Sequence, residues 1–589
     1  MAGSGRRILI GLLCAFLLTV LAFVSGGCVS AATTYYVNPG ESIQAAVTAA
    51  GPGDTIIVRD GTYTENVEVN VANLTLRSEH GSAFTTVVAA VNTSDVFLVT
   101  ANSVTITGFT VRNASAATGI HLHSVHHCTI AGNNALGNHY GIWLYSASNN
   151  NTLTDNTANS NNNYGIYLSH LSNNNTLTGN IAANNTRGIY LRDSNTTTLM
   201  NNTASNNSYG IYLISSCYNT LTGNTVNSNN GDGIFLDSSS NNNTLIGNTA
   251  NSNNNKGMHL WSSSYNYLTS NTALNNYNGI LLYYSSYNTL TDNTASNNSV
   301  GIWLGSSSYN TLTDNTASNN SFGINLEYSS KYNNLKNNTA HSNNNYGIYL
   351  RYLSINNTLT GNIASNNSRG IFLRESSNTT LTSNTANSNS QYGVYLLGSS
   401  TITMTDNIAN SNDEYGILLY SASNNTLSGN TVLNNYYGIS LESSNNNLIY
   451  NNYLDNTQNA YAKELNIWNI SKTPGTNIIG GSYLGGNYWS DYKGEDNDDD
   501  GLGNTLLPYI ASGDIQYGGD WLPLVKADQP GKWDINEDCT VNFIDLTILS
   551  AHWLETTTAP FPRYDINEDG VVNFIDLTIL SAHWLETTC

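Results

Sequence analysis

A glycine followed by an aliphatic residue returns at Gly119, Gly141, Gly165, Gly188, Gly210, Gly233, Gly257, Gly279, Gly301, Gly323, Gly347, Gly370, Gly393, Gly416 and Gly438, at an almost constant interval. So regular a spacing restricts the chain to an array of stacked units, each of which buries its apolar face only against its neighbours. In Tyr140-Gly141-Ile142-Trp143-Leu144 the aliphatic residues alternate with Trp143, the period of a strand with one buried face. The unit continues through a Ser/Asn turn into Asn151-Thr152-Leu153-Thr154-Asp155-Asn156-Thr157-Ala158 and a second Asn-rich turn. Three short strands per unit, stacked about 4.8 Å apart, predict an all-β parallel β-helix with Ile on Ile, Leu on Leu and Asn on Asn. Asn ladders then satisfy the backbone of the turns. Helical and leucine-rich repeats are excluded, because no unit carries a sustained helical apolar period.

Ahead of the array, Glu41 to Ala50 has a short helical pattern, followed by Gly53-Asp54-Thr55-Ile56-Ile57-Val58 and Gly61-Thr62-Tyr63. These read as an end cap and first coils that protect the open edge of the stack. With the Asn-Thr-Leu-Thr/Gly-Ile units and Gly485-Gly486-Asn487-Tyr488-Trp489-Ser490-Asp491-Tyr492, residues 35–526 resemble the NosD-like, carbohydrate-associated β-helix family. The resemblance implies right-handed, pectate-lyase-like coiling. It says little about activity, since such folds serve binding proteins, surface proteins and sugar-acting enzymes. The expected divisions are a signal segment (1–31), a cap with the first coils (32–118), the repeats (119–450), C-terminal coils with an acidic loop (451–526), a linker (527–533) and a terminal module (534–589).

Arg6 and Arg7 precede an apolar run from Ile8 to Val24 and small residues through Ala31, the pattern of a secretory signal. Cys28 after Ser25-Gly26-Gly27 leaves lipid attachment or an uncleaved anchor as alternatives, and no other segment is apolar enough to span a membrane. A formal charge of −21 without a basic patch argues against nucleic acid or anionic lipid and suits divalent cations. Cys128, Cys217, Cys539 and Cys589 are too scattered for a disulfide framework, so stacking must hold the fold. The expected setting is extracellular or cell-surface.

Between each inward Ile and Leu lies an outward position, occupied by a ring at Trp143, Tyr167, Tyr190, Tyr212, Phe235, Trp303, Tyr349, Phe372 and Tyr395. Two readings fit: aromatic residues supporting one another along a sheet, or an exposed platform on which the sugars of a polysaccharide stack. The block from Asn163 to Leu199 is nearly copied from Asn345 to Leu381, so that Arg187, Arg192 and Asp193 return as Arg369, Arg374 and Glu375. These are either surface ion pairs or groups that bind and polarise an acidic sugar. Asp155, Asp292, Asp314 and Asp406 share a turn position with Gly179, Gly223, Ser270 and Gly361, which marks a turn residue; only Asp292 and Asp314 sit on adjacent coils, as a weak catalytic pair. His121, His123, His126, His127, Cys128 and His139 form the one dense histidine segment, whose imidazoles could bind copper or zinc, and the NosD-like resemblance implies copper.

Two near-copies, beginning at Asp534 and Asp565, close the chain. Asp534, Asn536, Asp538, the Thr540 carbonyl, Asn542 and Asp545 stand at calcium-loop intervals, as do Asp565, Asn567, Asp569, the Val571 carbonyl, Asn573 and Asp576. Each loop leads into one apolar helix, Phe543 to Trp553 and Phe574 to Trp584. This duplicated loop-helix unit resembles a dockerin, which implies calcium-dependent docking to a cohesin-like scaffold or surface protein. Cys539 stands where the loop usually has Gly, and Phe543-Ile544 and Phe574-Ile575 make the usual recognition positions apolar. Asp496, Asp498 and Asp500 with the Leu502 carbonyl suggest a third calcium loop. Three functions remain: a polysaccharide- or surface-binding protein attached through the terminal module, a polysaccharide lyase or glycoside hydrolase delivered by it, and a structural adhesion protein.

Overall fold

The computed structural model describes residues 31–498, 500–526, 533–558, 561–567 and 569–585. The expected signal segment except Ala31, with Cys28, lies outside the described residues, as do Cys589 and all of the linker but Trp533.

The chain winds into a right-handed parallel β-helix with three strand faces. The first is a 19-stranded parallel sheet from Thr34–Val37 to Leu448–Tyr450, built from the Thr-Leu-Thr segments. The second carries the Gly-Ile segments from Val67–Val69 to Gln458–Ala462. The third is a 7-stranded sheet that narrows to single bridges such as Thr225 to Thr249 before short three-stranded sheets resume. Register is residue on residue, with Ile142 on Ile166, Leu144 on Leu168 and Leu153 on Leu177. These side chains are fully buried in one continuous core with Ala158 and its equivalents.

The recurrent glycine follows from a close approach. A β-carbon on Gly165 would lie 2.7 Å from the Gly188 carbonyl oxygen and 2.9 Å from Ala182 Cβ, so only hydrogen fits. The Asn-rich turns form buried ladders, as expected. Asn156 Nδ2 donates to Ile130 O at 2.7 Å and to Asn180 Oδ1 at 3.0 Å, and the Asn156 backbone N–H donates to the same Oδ1 at 3.0 Å. Each amide thereby satisfies one coil and engages the next.

Helix α1 (Ile43–Ala49) covers the first coil, burying Ile43 and Val47, and Ser42 caps it by accepting from Ala45 N. The Glu65 carboxylate accepts from Ile43 N and Gln44 N, which ties the cap to the strand region below it. The terminal module contains α2 (Phe543–Ala551) and α3 (Phe574–Ala582), each opened by an Asn cap and a reciprocal Asp at the third helical position. Its core is a separate small cluster of Ile535, Val541, Leu549, Ile566, Val572 and Leu580. Among the described residues no helix is long and apolar enough to cross a membrane.

Candidate functional site

The ring row stands on the outer side of the second sheet, but its rings pack face to face. From His121 the stack runs through Trp143, Tyr167, Tyr190, Tyr212 and Phe235 to His259, with centroid spacings of 4.4 to 5.8 Å. Tyr349, Phe372 and Tyr395 form a second stack at 4.9 and 4.6 Å. Coil spacing and ring thickness leave no gap between neighbours, so Tyr167 is 6% exposed and Tyr349 3%. An open platform is therefore not what Tyr167, Tyr190, Tyr212, Tyr349 and Phe372 present, because their faces are covered by one another. Trp143, Phe235, Trp303 and Tyr395 are half-buried. Burial pushes the Tyr190 phenol up to about 12, so it stays protonated at any working pH.

Each end of the longer stack is an Asp–His pair. His121 Nδ1 lies 2.7 Å from Asp95 Oδ2, and His259 Nδ1 2.8 Å from Asp232 Oδ2. The same carboxylates accept from the backbone N–H of Thr118 and Lys256, each three residues before its histidine. Burial opposes the Asp95 charge, but the His121 hydrogen bond and charge with the Thr118 N–H hold it below the ordinary carboxylate range. The sequence signal for these pairs is an Asp one coil before an outward His. The other histidines do not join them: the His123 ring is 5.6 Å from His121, His127 occupies a left-handed turn and His139 packs on Tyr140. Among the described residues the segment from His121 to His139 thus forms no three-ligand metal group; such groups occur at Asp60, Glu79 and His80 and at Asp496, Asp498 and Asp500.

The duplicated arginines Arg187 and Arg369 each lie over tyrosine rings and share one of these contacts. The Arg187 guanidinium lies 5.1, 4.6 and 4.9 Å from the Tyr164, Tyr190 and Tyr212 rings and donates to Tyr164 Oη at 2.8 Å. Arg369 keeps the first of these contacts, 5.2 Å from the Tyr346 ring and donating to Tyr346 Oη at 3.1 Å, but lies 5.3 Å from Tyr392, the counterpart of Tyr209. Arg192 and Arg374 pair with their sequence neighbours Asp193 and Glu375 at 3.6 and 3.8 Å, in exposed surroundings. Sequence reasoning missed the tighter ion pair between Arg351 and the buried Glu327. Asp292 and Asp314 both sit in the left-handed turn region at φ 54° and 55°, beside Gly179 and Gly361 equivalents at 66° and 65°. Their place in the coil is that of a turn residue.

In the terminal module Asp534, Asp545, Asp565 and Asp576 are fully or almost fully buried. Asp545 braces the first loop by accepting from Ile535, Asn536 and Asn542 N–H at 2.7, 3.1 and 2.8 Å. Asp576 does the same from Ile566, Asn567 and Asn573 at 2.7, 3.2 and 2.8 Å. Asn536 Nδ2 reaches Asp538 and Asn567 Nδ2 reaches Asp569, each at 2.8 Å. Asn542 and Asn573 cap the helices, and Nδ2 of each donates to its loop carbonyl, Thr540 or Val571. Asp565 Oδ1 is buried without a hydrogen-bond partner, an orphan that a hard cation at the first loop position would satisfy, so the donor set fits calcium. Cys539 takes the left-handed conformation that Gly570 takes in the second loop, with φ 69° against 90°, and is disulfide-bonded. In the third loop, Asp496 accepts from Asp500 N and Gly501 N, while Asp500 pairs with Lys472.

The family described as Periplasmic copper-binding protein (NosD) matches residues 47–175, 239–362 and 340–494. A right-handed β-helix region matches 118–273, and a dockerin type I domain matches 532–585. No curated protein sequence matches the chain. Among solved structures it is similar to the Azotobacter vinelandii mannuronan C-5 epimerase AlgE4 A-module, at 18% identity over 50% of this chain and 89% of that one, TM-score 0.40. It is also similar to the GH87 α-1,3-glucanase of Streptomyces thermodiastaticus, at 16% identity over 55% and 66%, TM-score 0.38. Pectate lyase Pel9A aligns at 16% identity over 48% and 76%, TM-score 0.31. With matches along most of the β-helix and a dockerin type I domain behind it, the chain belongs to the NosD family.

Proposed function

We propose that the protein is an extracellular, polysaccharide-associated β-helix, exported by its N-terminal signal segment and held on a cohesin-type scaffold or surface protein by a calcium-loaded terminal module. The observation that carries this reading is the pair of loop-helix units whose acids are buried while the helix starts are bare. Asp534 and Asp565 are sequestered, yet Phe543 and Phe574 are 73% and 71% exposed, with Ile544 and Ile575 beside them. The orphaned Asp565 oxygen calls for a cation, and duplicated apolar pairs on a small calcium-ordered module call for a partner. Calcium would be held by the acids and carbonyls of both loops, with Asp496, Asp498 and Asp500 as a further site. The solenoid supplies a long rigid surface for an extended polymer.

The test is retention of the full chain on a cohesin-bearing resin and on a polysaccharide panel, with and without chelator. Retention on cohesin should require calcium and fall at least about tenfold in the double variant Asp534→Asn, Asp565→Asn, while retention on glycan should not depend on calcium. Calcium-independent cohesin binding would overturn the docking role. Release of sugar products from the panel would favour the lyase or hydrolase instead.

A further inference from the structure

A row of exposed, mutually stacked rings stands apart from the outward row of the second sheet. It lies at the turn leading into the first sheet, where Tyr265, Tyr287, Tyr309 and Tyr332 occupy one position on four successive coils. Their rings stack at 5.0, 4.9 and 4.9 Å with interplanar angles of 4°, 2° and 8°, and each ring is about half exposed, from 46% to 50%. All four sit in the left-handed region, at φ 61°, 59°, 58° and 56°. A bulky side chain is a true outlier there, whereas Asn is tolerated. Other coils do use Asn at this position, as at Asn356, Asn378, Asn424 and Asn446, with φ from 55° to 59°. The fold does not require these tyrosines, and backbone outliers that the fold does not require point toward function.

The geometry points to a binding comb for a neutral polysaccharide chain lying across the coils along Tyr265, Tyr287, Tyr309 and Tyr332. This rests on the polysaccharide-associated reading and names its surface and ligand class. Four phenol hydroxyls in a row advance by one coil each, close to the length of one pyranose unit in an extended chain. Ring edges offer apolar contact to sugar C–H groups, and the hydroxyls donate to and accept from sugar hydroxyls. The buried Asn288 and Asn310 follow Tyr287 and Tyr309, so the outward Thr289 and Thr311 continue the same surface. At its margins the exposed carboxylates of Asp292 and Asp314 are matched by Lys331 and Lys336 beside Tyr332, so the surface has no net charge with which to hold a polyuronate and an uncharged polymer is the matching ligand.

The experiment measures retention of the full chain on microcrystalline cellulose, chitin, xylan and, as the anionic control, polygalacturonate. The ladder variant replaces Tyr265, Tyr287, Tyr309 and Tyr332 by Asn, the residue that sibling coils already carry, and circular dichroism checks its fold. Tyr218→Asn is the matched control, an isolated exposed tyrosine at the same turn position. Expected is retention of the wild type on at least one neutral polymer, a loss of about tenfold or more in the ladder variant and no change in the control. Equal retention of wild type and ladder variant, equal losses in variant and control, or retention on polygalacturonate alone would overturn the comb while leaving polysaccharide association standing. Retention of the wild type on none of the polymers would overturn both.

Discussion

At the scale of single residues, the informative positions are those where a side chain sits against its own preference. A non-glycine residue in the left-handed region costs roughly 1–2 kcal/mol, and a stacked aromatic pair returns about 0.5–1.5 kcal/mol. Three stacking contacts among four tyrosines therefore do not clearly offset four strained backbones, which is why the ladder needs a reason beyond stability. Asp520 is the second such residue. It ends the central Asn ladder, its Oδ2 accepting from Asn487 N at 2.7 Å and Trp489 Nε1 at 2.8 Å. Full burial pushes its carboxyl up to about 6 against those donors, which favour the charged form. An unfolded Asp titrates near 3.9, so the folded chain keeps this proton to higher pH. The stabilisation is complete below pH ~4 and is lost as pH rises through about 6, a change of roughly 2–3 kcal/mol. Chemical unfolding followed by Trp489 fluorescence should show the gap between wild type and Asp520→Asn shifting by that amount from pH 4 to pH 7; a pH-independent gap would refute the assignment.

At the scale of the element, the Asn ladders differ in how much they tolerate. The ladder through Asn293 runs without interruption from Asn133 to Asn487, whereas the ladder through Asn288 already admits Thr197 and Thr379. Asn293 Oδ1 accepts from Asn271 N and Nδ2 at 3.0 and 2.9 Å, and Nδ2 donates to Leu268 O at 2.8 Å. Asn293→Ala would leave several buried groups unpaired and should cost roughly 2–4 kcal/mol, while Asn288→Thr should cost under about 1 kcal/mol. Hydrogen exchange of the flanking coils would check this, and equal effects of the two substitutions would contradict it. The ladders and the core were legible in the sequence because every coil repeats the same inward residue. Ring exposure was not, because neighbours along the stack decide it: Tyr167 and Tyr287 are both outward, but only Tyr287 stands at a turn where its edge stays open. The Asp95–His121 and Asp232–His259 pairs were likewise hidden, since each depends on the registration of one coil against the next.

At the scale of the whole molecule, two kinds of stability coexist in one chain. The solenoid buries a continuous apolar core from Val37 to Ile515 and sums many nearest-neighbour contacts. Among its described residues the terminal module has six buried apolar residues in its core and four buried carboxylates, a balance that a domain of this size rarely meets without a metal or a covalent tie. Cys539 supplies one tie through its disulfide, and the loop acids supply ligands for the metal. The carboxylates that identified this module in the sequence are thus the groups that would destabilise it without calcium. Calorimetry of the full chain should accordingly show a small transition that moves down, or disappears, on chelation and returns with calcium. The large transition of the solenoid should stay in place, because among the described residues no coil from Thr118 to Ala462 draws on those loops for its backbone hydrogen bonds. If chelation left both transitions unchanged, calcium-dependent docking would lose its physical basis.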